Sequence, residues 1–326
     1  MITYPYSKMD IGQVVLVVIL PAYNEEQTIA ATIEDFHQAL PEAAIWVINN
    51  RSTDATSSKA LDAQSRLGCK GGVINENRPG KGNALRRAFL DIDADIYILA
   101  DADMTYPAAH AHELMAPVIA GKADMVVGDR HSSGHYAAEN KRTLHGFGNR
   151  LVRYLVNHLF ASNLVDIMSG YRVFNRRFVK TYPILVGGFE IETDMTLHAL
   201  DKRFLIIEIP VKYRDRPAGS YSKLNTLSDG VRVIGTIVNI LRYYRPLLFF
   251  GGAAILIALI GLAVGLPVIL EWITDTYITH VPLAILATGI EIIAIVLASI
   301  ALILDSIAQQ DKRNFERELL RYFKAA

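Results

Sequence analysis

The 326-residue sequence carries 33 basic and 33 acidic side chains, so its charge balance gives no reason to expect a nucleic-acid partner. A single cysteine, Cys69, excludes an intramolecular disulfide framework and any multi-cysteine zinc site. Mean hydropathy is +0.23, high for a soluble enzyme, and the excess lies in the last third of the chain.

Residues 14–20 form a continuous apolar, β-branched run, the pattern of a strand buried on both faces. The run is too short, has too little basic lead-in and meets Pro21 too soon to be a signal peptide. The segment PAYNEEQTIAATIEDFHQAL then turns into a helix with Ile29, Ile33 and Phe36 on one face. A second strand is expected over 45–48, with a polar turn and helix (NNRSTDATSSKALDAQSRLG) behind it. A short strand over 72–75 leads into a glycine-rich turn and helix (PGKGNALRRAFLDI). Further strands are expected over 96–100 and 125–128. Strands alternating with helices predict an α/β fold, a mostly parallel sheet covered on both faces. Ligands in such sheets bind at the carboxyl ends of the strands, where 23–25, 49–54, 79–82, 101–103 and 129–130 all fall.

LADADMTYP, residues 99–107, is the centre of this edge. If strand geometry persists, Asp101 and Asp103 point the same way and need a cation between them. Hard divalent ions, Mg²⁺ or Mn²⁺, suit such oxygens together with substrate phosphates. The stretch therefore reads as a metal-dependent nucleotide site. His110 and His112 lie two apart on a helix, hence on different faces, and are read as surface residues.

Beyond Arg130 come a basic segment, then VDIMSGYRVFNRRFVKTY, a helix over 189–200 with acids at its start, and a strand over 205–213. Residues 220–244 carry an apolar stripe interspersed with arginines, suited to a helix on a membrane surface or, equally, to one packed on the sheet. Residues 247–270 hold no charge and 281–304 hold only Glu291. As helices, both are long enough to cross a bilayer. The loop between them has no lysine or arginine, while Arg242, Arg245, Lys312, Arg313, Arg317, Arg321 and Lys324 flank the outer ends, which places both ends in the cytoplasm. Glu291 is expected to face its neighbouring helix or a subunit contact rather than to be a proton or ligand site. The domain division expected is a catalytic domain over 1–225, a juxtamembrane helix over 226–246, two membrane helices within 247–304, and a basic tail over 305–326.

VILPAYNEE, STDAT, PGKGNALRRAF, DAD, GDR, SGYRVFNRRF and GFEIETDM occur in an order that resembles family 2 glycosyltransferases of the GT-A fold. The similarity is greatest to the polyprenyl-phosphate group, which includes dolichyl-phosphate mannose synthases and bacterial undecaprenyl-phosphate glucosyltransferases. The resemblance implies a cytoplasmic-membrane enzyme that moves a sugar, with inversion, from a UDP- or GDP-linked donor to a polyprenyl phosphate. Pro21, Tyr23 and Glu25 would line the nucleoside and Asn49 the base. Asn49 stands where relatives usually carry an acid, so it can accept a hydrogen bond but brings no charge. Lys81 would lie near the diphosphate, and Asp101 and Asp103 would hold the metal. The resemblance also implies a homo-oligomer, with a tetramer as one form, and a small membrane flippase as a partner.

The implied attack brings an anionic phosphate to a diphosphate donor, which calls for a metal and arginines rather than a strong base. Arg130, Arg142, Arg150, Ser169 and Arg172 are the candidates for the acceptor phosphate, and Arg214 and Arg216 for the donor diphosphate. Asp166 is the candidate base or acceptor-positioning carboxylate, with Asp194 competing. A processive polysaccharide synthase would carry Gln-x-x-Arg-Trp, which is absent. A non-catalytic nucleotide-sugar-binding protein would be expected to lose the acid pair.

Overall fold

The computed structural model describes residues 14–132, 143–188, 190–214, 235 and 237–325. The chain divides into two compact units, 1–226 and 227–326.

In the first unit the order is β1 (Leu16–Ala22), α1 (Ile29–Ala39), β2 (Ala44–Asn49), α2 (Thr56–Leu67), β3 (Lys70–Asn75), α3 (Lys81–Asp91) and β4 (Ile96–Leu99). A 3₁₀ turn (Ala108–His110) leads into α4 (Ala111–Ile119), followed by β5 (Met125–Asp129), α5 (Thr143–Phe160), β6 (Arg172–Asn175), α6 (Arg176–Thr181), α7 (Ile191–Asp201) and β7 (Ile206–Pro210). The seven strands form one sheet in the order β3-β2-β1-β4-β6-β5-β7. As the sequence predicts, β1 is buried along almost its whole length, and Val18, Ile19 and Leu20 have no exposed surface. Ile29, Ile33 and Phe36 of α1 close over one sheet face together with Ile45, Val47 and Ile98. Each such side chain removed from water contributes about 1.5–3 kcal/mol.

The sheet departs from the purely parallel pattern at β6, which the sequence reading does not anticipate as a strand. β6 runs antiparallel to both β4 and β5, with Arg172 opposite Leu99 on one side and Val127 on the other. This reversal has a direct consequence for the site. The amino-terminal end of β6 lies beside the carboxyl ends of β4 and β5, so the segment preceding it arrives at Asp101 and Arg130.

The second unit contains two long helices, α8 (Pro246–Asp275) and α9 (Val281–Ala325), packed on each other as a hairpin. Thr276, in the left-handed region at φ 54°, ends α8. Both helices are long and apolar enough to cross a membrane, with hydropathies of 2.8 and 2.5. Glu291 faces its neighbouring helix, where a Cβ added at Gly261 would lie 2.5 Å from Glu291 Oε1. α9 does not stop where the apolar sequence does at 304. It continues as helix through the basic segment to Ala325, about 30 Å further at 1.5 Å per residue. Residues 226–234 and 236 of the expected juxtamembrane helix lie outside the described residues, and residues 237–244 are helical.

Candidate active site

The loops after β1 and β2 are laced together by side chains that bond backbone. Asn24, at φ 54°, receives Thr53 N–H on its Oδ1 at 2.8 Å and donates its own N–H to Ser52 Oγ at 3.0 Å. Glu25 N–H donates to Thr56 Oγ1 at 2.8 Å, and Ala55 N–H to Glu26 at 3.2 Å. Each bond satisfies a loop amide that has no ladder partner. Asn50, buried, donates to Arg78 carbonyl at 2.6 Å and accepts from Gly80 N–H at 2.7 Å, which ties the glycine-rich turn to the end of β2. Gly80 adopts φ +110°, and a side chain at Gly80 or Gly82 would run into the carbonyls of Gly187 or Val186. These glycines thus allow a close approach that puts the start of α3 beside the chain entering α7.

That approach builds the centre of the site. Lys81, the first residue of α3, places its ammonium 2.5 Å from Asp101 Oδ1 and 2.6 Å from Glu192 Oε1. Its side chain is only 9% exposed. Burial opposes the charge, but Asp101 and Glu192 outweigh it and hold the lysine pKa above its usual value. Gly170, delivered by the reversed β6, closes the third side. A Cβ there would lie 2.8 Å from Asp101 Oδ2 and 3.2 Å from Lys81 Nζ.

Strand geometry does not persist through the acid pair, so the condition under which Asp101 and Asp103 would point the same way is not met. β4 ends at Leu99, and Met104 takes φ +66°. Asp103 is buried and accepts Thr105 N–H at 3.1 Å and Thr105 Oγ–H at 2.5 Å. The turn is held from α1, where Thr28 and Thr32 donate to the carbonyl of Ala102 at 2.8 and 3.2 Å. The donor set fits a divalent ion, since two hard carboxylates flank a carbonyl-clamped turn beside a cationic side chain suited to phosphate. Asp101 and Asp103 would hold it. Among the described residues no third carboxylate, histidine or cysteine joins them, so remaining ligands would come from substrate and solvent.

A second cluster lies where β5 ends. Arg130 meets Asp166 in a fork, Nε to Oδ2 at 2.7 Å and Nη2 to Oδ1 at 2.9 Å. The Asp166 backbone and that of Val165 both donate to Glu208 at 2.7 Å. Burial raises the Asp166 pKa, yet the Arg130 charge and hydrogen bonds more than offset it, and the carboxyl sits below the usual range. An aspartate so held is a poor proton acceptor, so the geometry supports positioning of Arg130 rather than base chemistry.

Arg172 is placed differently from the sequence expectation of an acceptor ligand. It has no exposed surface and donates to the carbonyls of Ser169 and Ile167, each at 2.8 Å, and to Thr196 Oγ1 at 2.9 Å. Its guanidinium is thus spent on holding the segment that carries Gly170. Ser169, also fully buried, uses its hydroxyl to accept Tyr171 N–H at 3.3 Å. Gly170 N–H donates to Tyr106 Oη at 3.0 Å, and the Tyr106 ring packs on Tyr171 and Tyr213.

Asp194 does not join Lys81. Two residues along α7 from Glu192, it lies round the helix and accepts Tyr182 Oη–H at 2.6 Å. Burial raises its pKa. Asn49 donates to Asn75 Oδ1 at 2.9 Å, at the carboxyl ends of the strands, where Pro21 pairs with Ile48 and Ala22 with Asn49 and Tyr23 is half exposed. Glu25 is bonded by Thr28 at 3.2 Å. Arg214 is joined to the acid turn through its backbone, N–H to Thr105 carbonyl at 2.9 Å, while its guanidinium approaches Asp35 at 3.8 Å. Arg150 is exposed on α5, and Arg142 and Arg216 lie outside the described residues. Sequence reasoning missed Glu192, Asn50, Thr28 and Thr32. Glu192 sits inside GFEIETDM, so that motif was the available signal.

The Glycosyl transferase family 2 model matches residues 17–182. The glycosyltransferase AglJ of Haloferax volcanii is 29% identical over 301 residues, 92% of this chain and 96% of that one. Dolichyl-phosphate hexose transferase of the same organism is 27% identical, over 69% of this chain and 93% of its own. Undecaprenyl-phosphate mannosyltransferase of Micrococcus luteus is 25% identical, over 69% and 92%. Among solved structures, glucosyl-3-phosphoglycerate synthase from Mycobacterium tuberculosis, crystallised with Mn²⁺, UDP and phosphoglyceric acid, superposes with a TM-score of 0.54 at 22% identity, over 71% of this chain and 78% of that one. That likeness speaks to the fold, which is GT-A.

Proposed function

The chain belongs to glycosyl transferase family 2, and on that premise we propose that it transfers a sugar from a nucleoside-diphosphate donor to a polyprenyl phosphate at the cytoplasmic face of a membrane. The observation that carries the reading is Lys81 joined to Asp101 and Glu192 beside the clamped turn of Asp103. Names of relatives that act on dolichyl and undecaprenyl phosphates support the acceptor, and two bilayer-length helices support the membrane.

In this reading an acceptor phosphate oxygen forms the new bond to the anomeric carbon as the bond to the diphosphate breaks, with inversion. The leaving nucleoside diphosphate takes the electron pair. Lys81 and Arg214 meet the donor's negative charge, and Pro21, Tyr23, Glu25 and Asn49 line the nucleoside. Arg130, oriented by Asp166, meets the acceptor phosphate, and Arg150 and Arg142 are further candidates for it. Asp101 and Asp103 would hold Mg²⁺ or Mn²⁺, which would supply further charge neutralisation for the diphosphate. An ionised phosphate needs no deprotonation, which suits a site whose Asp166 is held ionised by Arg130.

The test is incubation of membranes containing the full chain with labelled UDP- and GDP-sugars and either undecaprenyl or dolichyl phosphate, with and without EDTA. Label is expected to enter the organic phase for one donor and to stay aqueous in EDTA. No transfer to either lipid from any donor overturns the acceptor assignment.

A further inference from the structure

Lys81 is bound to two carboxylates at once, and only one of them belongs to the acid pair. The trio of Asp101, Lys81 and Glu192 carries a net charge of −1, is largely buried, and is confined on its open side by a glycine. We propose that Lys81 is a resident counter-cation for the donor site. It neutralises Asp101 until donor and divalent metal bind, then pivots on Glu192 from Asp101 to the diphosphate. This rests on the glycosyltransferase reading above.

Lys81 and a divalent ion compete for one carboxylate. A divalent ion sits about 2.0–2.6 Å from carboxylate oxygens, and Lys81 Nζ already lies 2.5 Å from Asp101 Oδ1. Two cations on that carboxylate repel, so occupancy by one disfavours the other. A buried ammonium cannot be abandoned without a partner. Glu192, at 2.6 Å with its own side chain 9% exposed, keeps Lys81 paired after Asp101 is given up. The lysine side chain has the rotatable bonds for the swing, while the frame around it is fixed. Gly170 is held by Tyr106 Oη, and Arg172 grips the carbonyls on either side of Met168. Gly170 leaves the space, because a Cβ would sit 3.2 Å from the moving nitrogen. Glu192 is therefore a positioning residue, acting through Lys81.

The experiment uses the full chain in detergent and measures binding without turnover: Mn²⁺ alone by electron paramagnetic resonance of the free ion, and UDP and GDP alone by calorimetry. Lys81→Met is expected to tighten Mn²⁺ by roughly tenfold, a typical coupling between sites, while weakening the nucleotide by a similar factor. Glu192→Gln is expected to weaken Mn²⁺ in the wild-type background, since Lys81 is left to Asp101 alone, and to do nothing in the Lys81→Met background. Simple charge removal would instead weaken Mn²⁺ in both, so equal effects in the two backgrounds overturn the pivot. Lys81→Gln, neutral but still able to donate to a carboxylate, decides the matter if Lys81→Met does not fold. A wild type that binds Mn²⁺ with nucleotide, alongside lysine variants that gain nothing for Mn²⁺ alone, also overturns the pivot and leaves the glycosyltransferase reading standing. Absence of Mn²⁺ binding in every protein, together with transfer that survives EDTA, overturns the pivot and the metal together.

Discussion

Arg130 and Asp166 are separated by 36 residues in sequence and meet through two parallel hydrogen bonds, at 2.7 and 2.9 Å. The pair exists because β6 runs backwards between β4 and β5, bringing the loop before it to the end of β5, just ahead of Arg130. Two parallel bonds fix the plane of the guanidinium.

Asp166→Asn replaces a bidentate anion by an amide that can accept on one atom only. Breaking a buried pair costs on the order of 3 kcal/mol, so a lower melting temperature is expected. Where the variant folds, the acceptor KM should rise while donor affinity measured by calorimetry holds. Loss of donor affinity instead would show that Asp166 serves the nucleotide side.

Arg172→Ala removes a guanidinium with no exposed surface and strands the carbonyls of Ile167 and Ser169. Each unsatisfied buried group costs about 1–3 kcal/mol, so a large loss of thermal stability is expected. An acceptor KM that rises strongly in a variant of unchanged melting temperature would contradict this placement and restore a direct role at the acceptor phosphate.

Asp103→Ala takes away the oxygen that accepts both Thr105 donors and one member of the acid pair. Transfer should fall by about a thousandfold, the scale seen when charge stabilisation of a developing anion is removed. Phase extraction of labelled lipid measures it. Retention of near wild-type transfer, still abolished by EDTA, would place the metal elsewhere.

Glu76 gives a test by pH. It is buried, and Arg78 bonds its carboxylate from Nε, Nη2 and the backbone, which lowers its pKa to about 2. A folded value below the unfolded one means the stabilisation is full above the unfolded value, and fades as pH falls through the lower one. Melting temperatures from about pH 5 downward should therefore drop less steeply for Glu76→Gln than for the wild type. Parallel curves would show that Glu76 titrates alike in both states.

The sequence by itself determined the alternation of strands and helices, because a strand buried on both faces can be written only in apolar, mostly β-branched residues, as in 14–20. It also determined the polar loop ends and the two bilayer-length helices, since a charge-free run such as 247–270 leaves few other solutions. Asp101, Asp103 and Lys81 were legible as candidates because their motifs are contiguous. What only the tertiary structure decided is how each charged side chain is paired and how deeply it is buried. Arg130 and Arg172 look alike in sequence, yet one follows β5 and pairs with Asp166, its side chain 12% exposed, and the other is sealed among carbonyls. Glu192 and Asp194 are two residues apart on one helix, and the helical rotation sends the first to Lys81 and the second to Tyr182. Those assignments depend on the reversal of β6 and on the direction a helix face takes after a loop, and neither is encoded locally. They follow from long-range packing, in which residues far apart in the chain compete for the same buried space.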